Sequence, residues 1–95
     1  MAVKFEWDQA KQRTNFRKHG VDFRDCVSIL DDPRSITLID NRFPYNEYRF
    51  KTFGRLHNQL IVIAFADCDD TVRIISARKA HKHEQKEYFR FFRFQ

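Results

Sequence analysis

Glycine, proline and cysteine each occur only twice in this chain of 95 residues. So few turn-formers exclude long irregular loops as a main component. Cys26 and Cys68 are too few for a disulfide framework, and no secretory apolar segment precedes them. Both thiols are expected free in a reducing cytoplasm, Cys26 buried on a helix. The longest apolar run, Leu60 to Ala66, covers seven residues, far short of a membrane-spanning helix, so no membrane contact is expected. A Gly-rich phosphate loop, a serine elbow and a Cys–His nucleophile arrangement are all missing. Cys68 also stands among three aspartates, which disfavour its thiolate.

What is present suits one packed domain spanning 1–95: 42% hydrophobic and 16% aromatic residues, with 11 phenylalanines supplying the bulk. The net charge of +5 is distributed in blocks. Residues 1–19, 41–66 and 78–95 are basic, whereas 20–40 and 67–77 are acidic. Basic blocks at both ends and in the middle point to a polyanion partner.

Val3 to Trp7 alternates and reads as a first strand. Asp8 is a natural N-cap for a helix ending at His19, with Gly20 as its stop. That helix is polar, and Phe16 is its expected anchor. A second helix opens at Asp22, with Phe23, Cys26, Val27 and Leu30 at helical spacing, and Asp31-Asp32-Pro33 ends it. Strands are expected at Ser35 to Asp40, Glu47 to Gly54, Leu60 to Ala66 (central, being apolar on both faces) and Thr71 to Ala77. Loops at Asn41 to Asn46, Arg55 to Asn58 and Asp67 to Asp70 join them. A final helix begins near Lys79. The order β-α-α-β-β-β-β-α predicts an α+β fold, an antiparallel sheet with helices packed mainly on one face.

The segment Arg73-Ile74-Ile75-Ser76-Ala77-Arg78-Lys79-Ala80 carries the strongest chemical signal. It delivers two arginines to the mouth of a basic helix, and the guanidinium fork suits phosphate. Lys79, Lys82, Lys86, Arg90 and Arg93 fall within a sector of roughly 80° on an ideal helix, which serves RNA or is simply a solvated face. Arg49 and Lys51 add charge from a strand. Lys18 and His19 stand in a last helical turn, where the macrodipole alone explains a histidine and where acid–base work is the functional alternative. Tyr88 reads as a core tyrosine with a satisfied hydroxyl, or as a base-stacking or proton-transfer group. His81 and His83 would point about 160° apart on a helix, which argues against a shared metal ion, so no metal or cofactor is expected. Phe89, Phe91, Phe92 and Phe94 exceed one buried stripe, and the surplus is read as meeting a partner chain.

Phe5-Glu6-Trp7-Asp8, Lys11, Asn15 and Lys18-His19-Gly20-Val21 resemble the opening of the BrnT family of bacterial toxins. Asp31-Asp32-Pro33, Glu47-Tyr48-Arg49 and Gly54-Arg55 resemble its middle. Arg73 to Arg78, with Glu84 and Tyr88, resemble its ending. The resemblance implies a RelE-like fold and a ribonuclease that arrests translation, acting on RNA, including ribosome-associated mRNA. It also implies a co-encoded ribbon-helix-helix antitoxin, through which the complex binds operator DNA. Joined to the chemistry, it makes His19, Lys18, Arg49, Arg78, Arg73 and Tyr88 the catalytic candidates. Lys51, Lys79, Lys82 and Lys86 become the RNA-binding ones, and the aromatic end becomes a surface for the antitoxin or a second copy. The alternative is a non-catalytic RNA-binding or complex-forming module on the same scaffold.

Overall fold

A computed structural model describes residues 3–40 and 48–93, apart from the Arg93 side chain. Its elements are β1 (Lys4–Glu6), α1 (Gln9–His19), α2 (Phe23–Asp31), β2 (Ile36–Ile39), β3 (Tyr48–Leu56), β4 (Gln59–Cys68), β5 (Thr71–Lys79) and α3 (Lys82–Arg93). The element order is the expected one. The expected loop at Asn41 to Asn46 and the start of the following strand at Glu47 lie outside the described residues.

The five strands form one sheet ordered β1-β5-β4-β3-β2, with the apolar β4 at its centre. The sheet is mixed, which corrects the antiparallel expectation: β1 runs parallel to β5, Lys4 beside Thr71 and Glu6 beside Arg73. The remaining pairs are antiparallel. Two strands also extend further than expected, because the Arg55 to Asn58 connection shrinks to two residues. His57 and Asn58 both take positive φ (50° and 67°), the conformation whose twist suits a two-residue hairpin. Between Ala64 and Phe65 the β4–β5 register slips, leaving Ile75 as the extra residue of a bulge.

Side chains of β4 alternate between two cores. Ile61, Ile63 and Phe65 join Phe23, Cys26 and Ile29 of α2, with Ile74 and Ala77 of β5. Leu60 and Val62 face the other way and pack with Ala80 and Tyr88. Helices α1 and α2 therefore share one face, while α3 covers part of the opposite one. Burial pushes the Cys26 thiol up to about 12, so it is a small core hydrophobe.

The anchor of α1 is not Phe16, which is 51% exposed, but Asn15, which is 8% exposed. Its Nδ2 donates to the Ala77 carbonyl at 2.8 Å and to the Val21 carbonyl at 3.2 Å. Its Oδ1 accepts from the Ala77 amide at 3.1 Å. The carboxamide thus pairs with β5 as a strand would, on the edge that β1 occupies only as far as Arg73. Asp8 and Asp22 cap α1 and α2, and Gly20 at φ 73° ends α1.

Two stability predictions follow from this packing. Asn15→Ala strands the Ala77 amide and carbonyl away from water and should cost about 2–4 kcal/mol in urea unfolding. Gly54→Ala places a Cβ into Ile29 Cγ2, where α2 crosses β3. It should cost about 1–3 kcal/mol as overpacking. Parent-like unfolding midpoints would contradict either assignment.

Candidate functional site

Residues directly opposite one another in a sheet share a face, so the register defines the chemistry of the α3 side. One row runs Glu6–Arg73–Ala66–Arg49, the next Ser76–Ala64–Lys51, and the third Arg78–Val62–Phe53. Helix α3 packs over the third row, through Tyr88 against Val62 and Phe53. The first two rows carry Arg73, Arg49 and Lys51 around a floor of alanine from β4. Ala66 is buried, and the three cationic residues are part-buried. Two strand spacings separate the backbones of Arg49 and Arg73, about 10 Å, a gap that long guanidinium side chains can close on one phosphate.

Lys18 and His19 lie at the end of α1, where Asn15 holds the helix against β5. With Lys11, Thr14, Ile75 and Ser76 they line a shallow groove of about 370 Å³. The bulge turns Ile75 and Ser76 toward this groove, and Ser76 also belongs to the middle cationic row. The structure thus brings Arg49, Lys51 and Arg73 together on one face, with Lys18 and His19 reached across Ser76. Sequence reasoning did not select Lys11 or Ser76. The Lys11–Asn15–Lys18 spacing could have shown that one α1 face is shared, but the bulge leaves no sequence signal.

Arg78 is placed differently from the phosphate clamp envisaged for it. Its two terminal nitrogens donate to both oxygens of Glu84, at 2.8 and 3.0 Å. Glu84 Oε1 also accepts from the His81 amide at 2.7 Å, capping α3. Hydrogen bonding from Arg78 is the main cause that holds the Glu84 carboxyl down at about 2, opposed by burial. Arg78 therefore bridges strand and helix. Tyr88 is buried, and its hydroxyl donates to the Arg34 carbonyl at 3.0 Å. Burial is the main cause that raises its pKa, and the ring packs in the core beneath α3.

Lys79 ends β5 as an exposed strand residue, so the helical stripe begins at Lys82. Lys82, Lys86 and Arg90 line a shallow outer groove on α3 with Gln85 and Phe89. His81 precedes the helix, which removes the angular argument that kept it from His83. Donor atoms of His81, His83 and Glu84 lie within 4.8 Å of one another. The carboxylate, however, is already taken by Arg78 and the His81 amide. Next to a guanidinium and a helix N-terminus, that set is poorly suited to a cation.

Residues 7–84 match the family described as "Ribonuclease toxin, BrnT, of type II toxin-antitoxin system", and the chain belongs to that family. No curated protein matches it.

Glu84 titrates at about 2 in the folded chain against an ordinary value of 4.5. Its bonds to Arg78 should therefore stabilise the fold fully above about pH 5, and the contribution should fade as pH drops toward 2. Glu84→Gln should cost about 1–3 kcal/mol at pH 7 and lose that part of the acid dependence. Parallel urea titrations at pH 7 and pH 3 check both points. An unchanged acid limb would assign the lowered pKa to no structural consequence.

Proposed function

We propose that this chain is a metal-independent endoribonuclease of RelE-like fold, a single domain over 1–95. Its cationic sheet face cradles the scissile phosphate. The supporting observation is the pairing of Arg49 and Arg73 across Ala66, with Lys51 in the adjoining row. In this reading the RNA 2′-oxygen attacks the neighbouring phosphorus, the bond to the 5′-oxygen breaks, and a 2′,3′-cyclic phosphate results. The two guanidinium groups stabilise the extra negative charge of the transition state. His19, with Lys18, takes the 2′-hydroxyl proton and returns one to the leaving oxygen, reaching the phosphate past Ser76. Lys79, Lys82 and Lys86 guide the flanking backbone without fixed geometry. Arg78 and Tyr88 act indirectly, by holding α3 over its end of the sheet.

The biological reading is cytoplasmic arrest of translation by cleavage of mRNA, on or off the ribosome. A co-encoded ribbon-helix-helix antitoxin neutralises the toxin and carries the complex to its operator. The runner-up is a non-catalytic RNA-binding module. It is favoured by one observation: neither cationic row contains a histidine.

Cleavage of a defined RNA in excess EDTA, with ends mapped, separates these readings. Arg49→Ala and Arg73→Ala should each lower the rate about a hundredfold, on the order of 3 kcal/mol of transition-state stabilisation. Lysine at either position should restore only part, because a point charge lacks the fork. Strict dependence on one divalent ion would overturn the metal-free mechanism. Intact RNA under every condition, ribosomes included, would leave the binding module.

A further inference from the structure

On the α3 side of the sheet, beyond the cationic rows, an apolar groove of about 360 Å³ runs between α3 and the outermost strand. Ile36 and Leu38 of β2, Phe53 of β3, and Tyr88 and Phe91 of α3 form its walls, with Glu87 on the rim. Leu38 is 55% exposed and Phe91 49%. Large aliphatic and aromatic groups gathered this way on a small chain mark a protein contact rather than a solvated face. Among the described residues β2 pairs only with β3, so its outer backbone edge adjoins the groove.

We propose that this groove and the β2 edge together receive an extended segment of the antitoxin. The segment adds a strand beside β2 and drops alternate aliphatic side chains between Leu38 and Phe91. The proposal rests on the toxin–antitoxin reading only for the source of the partner. An extended occupant fits because strand addition satisfies the exposed edge, while the side-chain period of two places every second residue over the groove. Charge narrows the occupant further. Glu84 and Glu87 line the groove and no Lys or Arg does, although Glu87, 67% exposed, also meets Arg90 at 3.4 Å. The segment therefore carries Lys or Arg beside its aliphatics, whereas the groove lining offers RNA no Lys or Arg. A second copy would bring the same acidic rim against itself.

The test uses the full chain and the purified product of the adjoining antitoxin gene. Leu38→Lys and Phe91→Lys should each weaken toxin–antitoxin affinity at least tenfold in calorimetry, and Glu87→Lys severalfold with a changed salt dependence. All three alter exposed positions, so thermal unfolding should stay close to the parent. RNA cleavage by the free variants should also match the parent, which keeps this proposal separable from the ribonuclease reading. In hydrogen exchange of the complex, amides of residues 36–39 should gain protection. Parent-like affinity in both lysine variants would overturn the proposal, as would protection confined to other strands. Self-association of the parent that these variants abolish would assign the groove to a second copy and overturn it equally.

Discussion

One carboxamide carries much of this fold. Asn15 makes two hydrogen bonds to the backbone of Ala77 and a third to Val21, all out of water. A buried amide in such a place is stabilising only when every partner is present, and each group left over costs about 1–3 kcal/mol. The consequence is positional. β1 supports the β5 edge up to Arg73 and Asn15 takes it up again at Ala77, with the bulge at Ile75 between them. The strand can therefore bend there and still continue to Lys79. That continuity delivers Arg73, Ser76 and Arg78 to one face of the sheet and holds α1, with Lys18 and His19, beside them.

The opposite end of the same face depends on α3, which is fastened at a few points. The Ala80 amide donates to the Leu60 carbonyl at 2.8 Å, Arg78 grips Glu84, and Tyr88 reaches the Arg34 carbonyl. Tyr88 also packs against Phe92, with ring centroids 5.0 Å apart. A charged fork between part-buried partners is stronger than a neutral bond and directional. It fixes where the helix starts, and so where α3 stops covering the sheet. The arginine most conspicuous in the sequence thus defines the boundary of the cationic rows.

Element order was legible because its signals are local: Asp8 and Asp22 as caps, Gly20 as a stop, and β4 as the run that is apolar on both faces. What escaped was set by tertiary pairing. Nothing local tells a three-residue strand at Lys4–Glu6 that its partner lies near residue 72, running the same way. Hydrophobicity favoured Phe16 over Asn15 as the anchor of α1, yet an amide that completes a strand edge outweighs a phenyl ring with no cavity to fill. The basic periodicity runs back to Lys79 and so reads His81 into a helix, whereas β5 continues through Lys79 and the helix begins at Lys82. The pairing of Arg49 with Arg73 needed the β3–β4–β5 register, which no single segment contains.

The register also accounts for how a small chain keeps strong positive charge beside its core. Ala64 and Ala66 are the smallest side chains of the central strand and stand where the cationic rows cross it. Larger residues there would lift the arginine and lysine stems off the sheet. Alanine leaves room for the methylene stems to lie on the sheet and cover apolar surface. Two positions further along β4, Val62 and Leu60 take over and the face becomes a core beneath α3. One strand therefore changes from core to cationic floor by side-chain volume alone. Arg73, Arg49 and Lys51 gather around the alanines, whereas the groove between α3 and β2 is lined by Glu84 and Glu87 and by no Lys or Arg. A polyanion and a protein partner can thus meet different parts of the same sheet without competing for the same side chains.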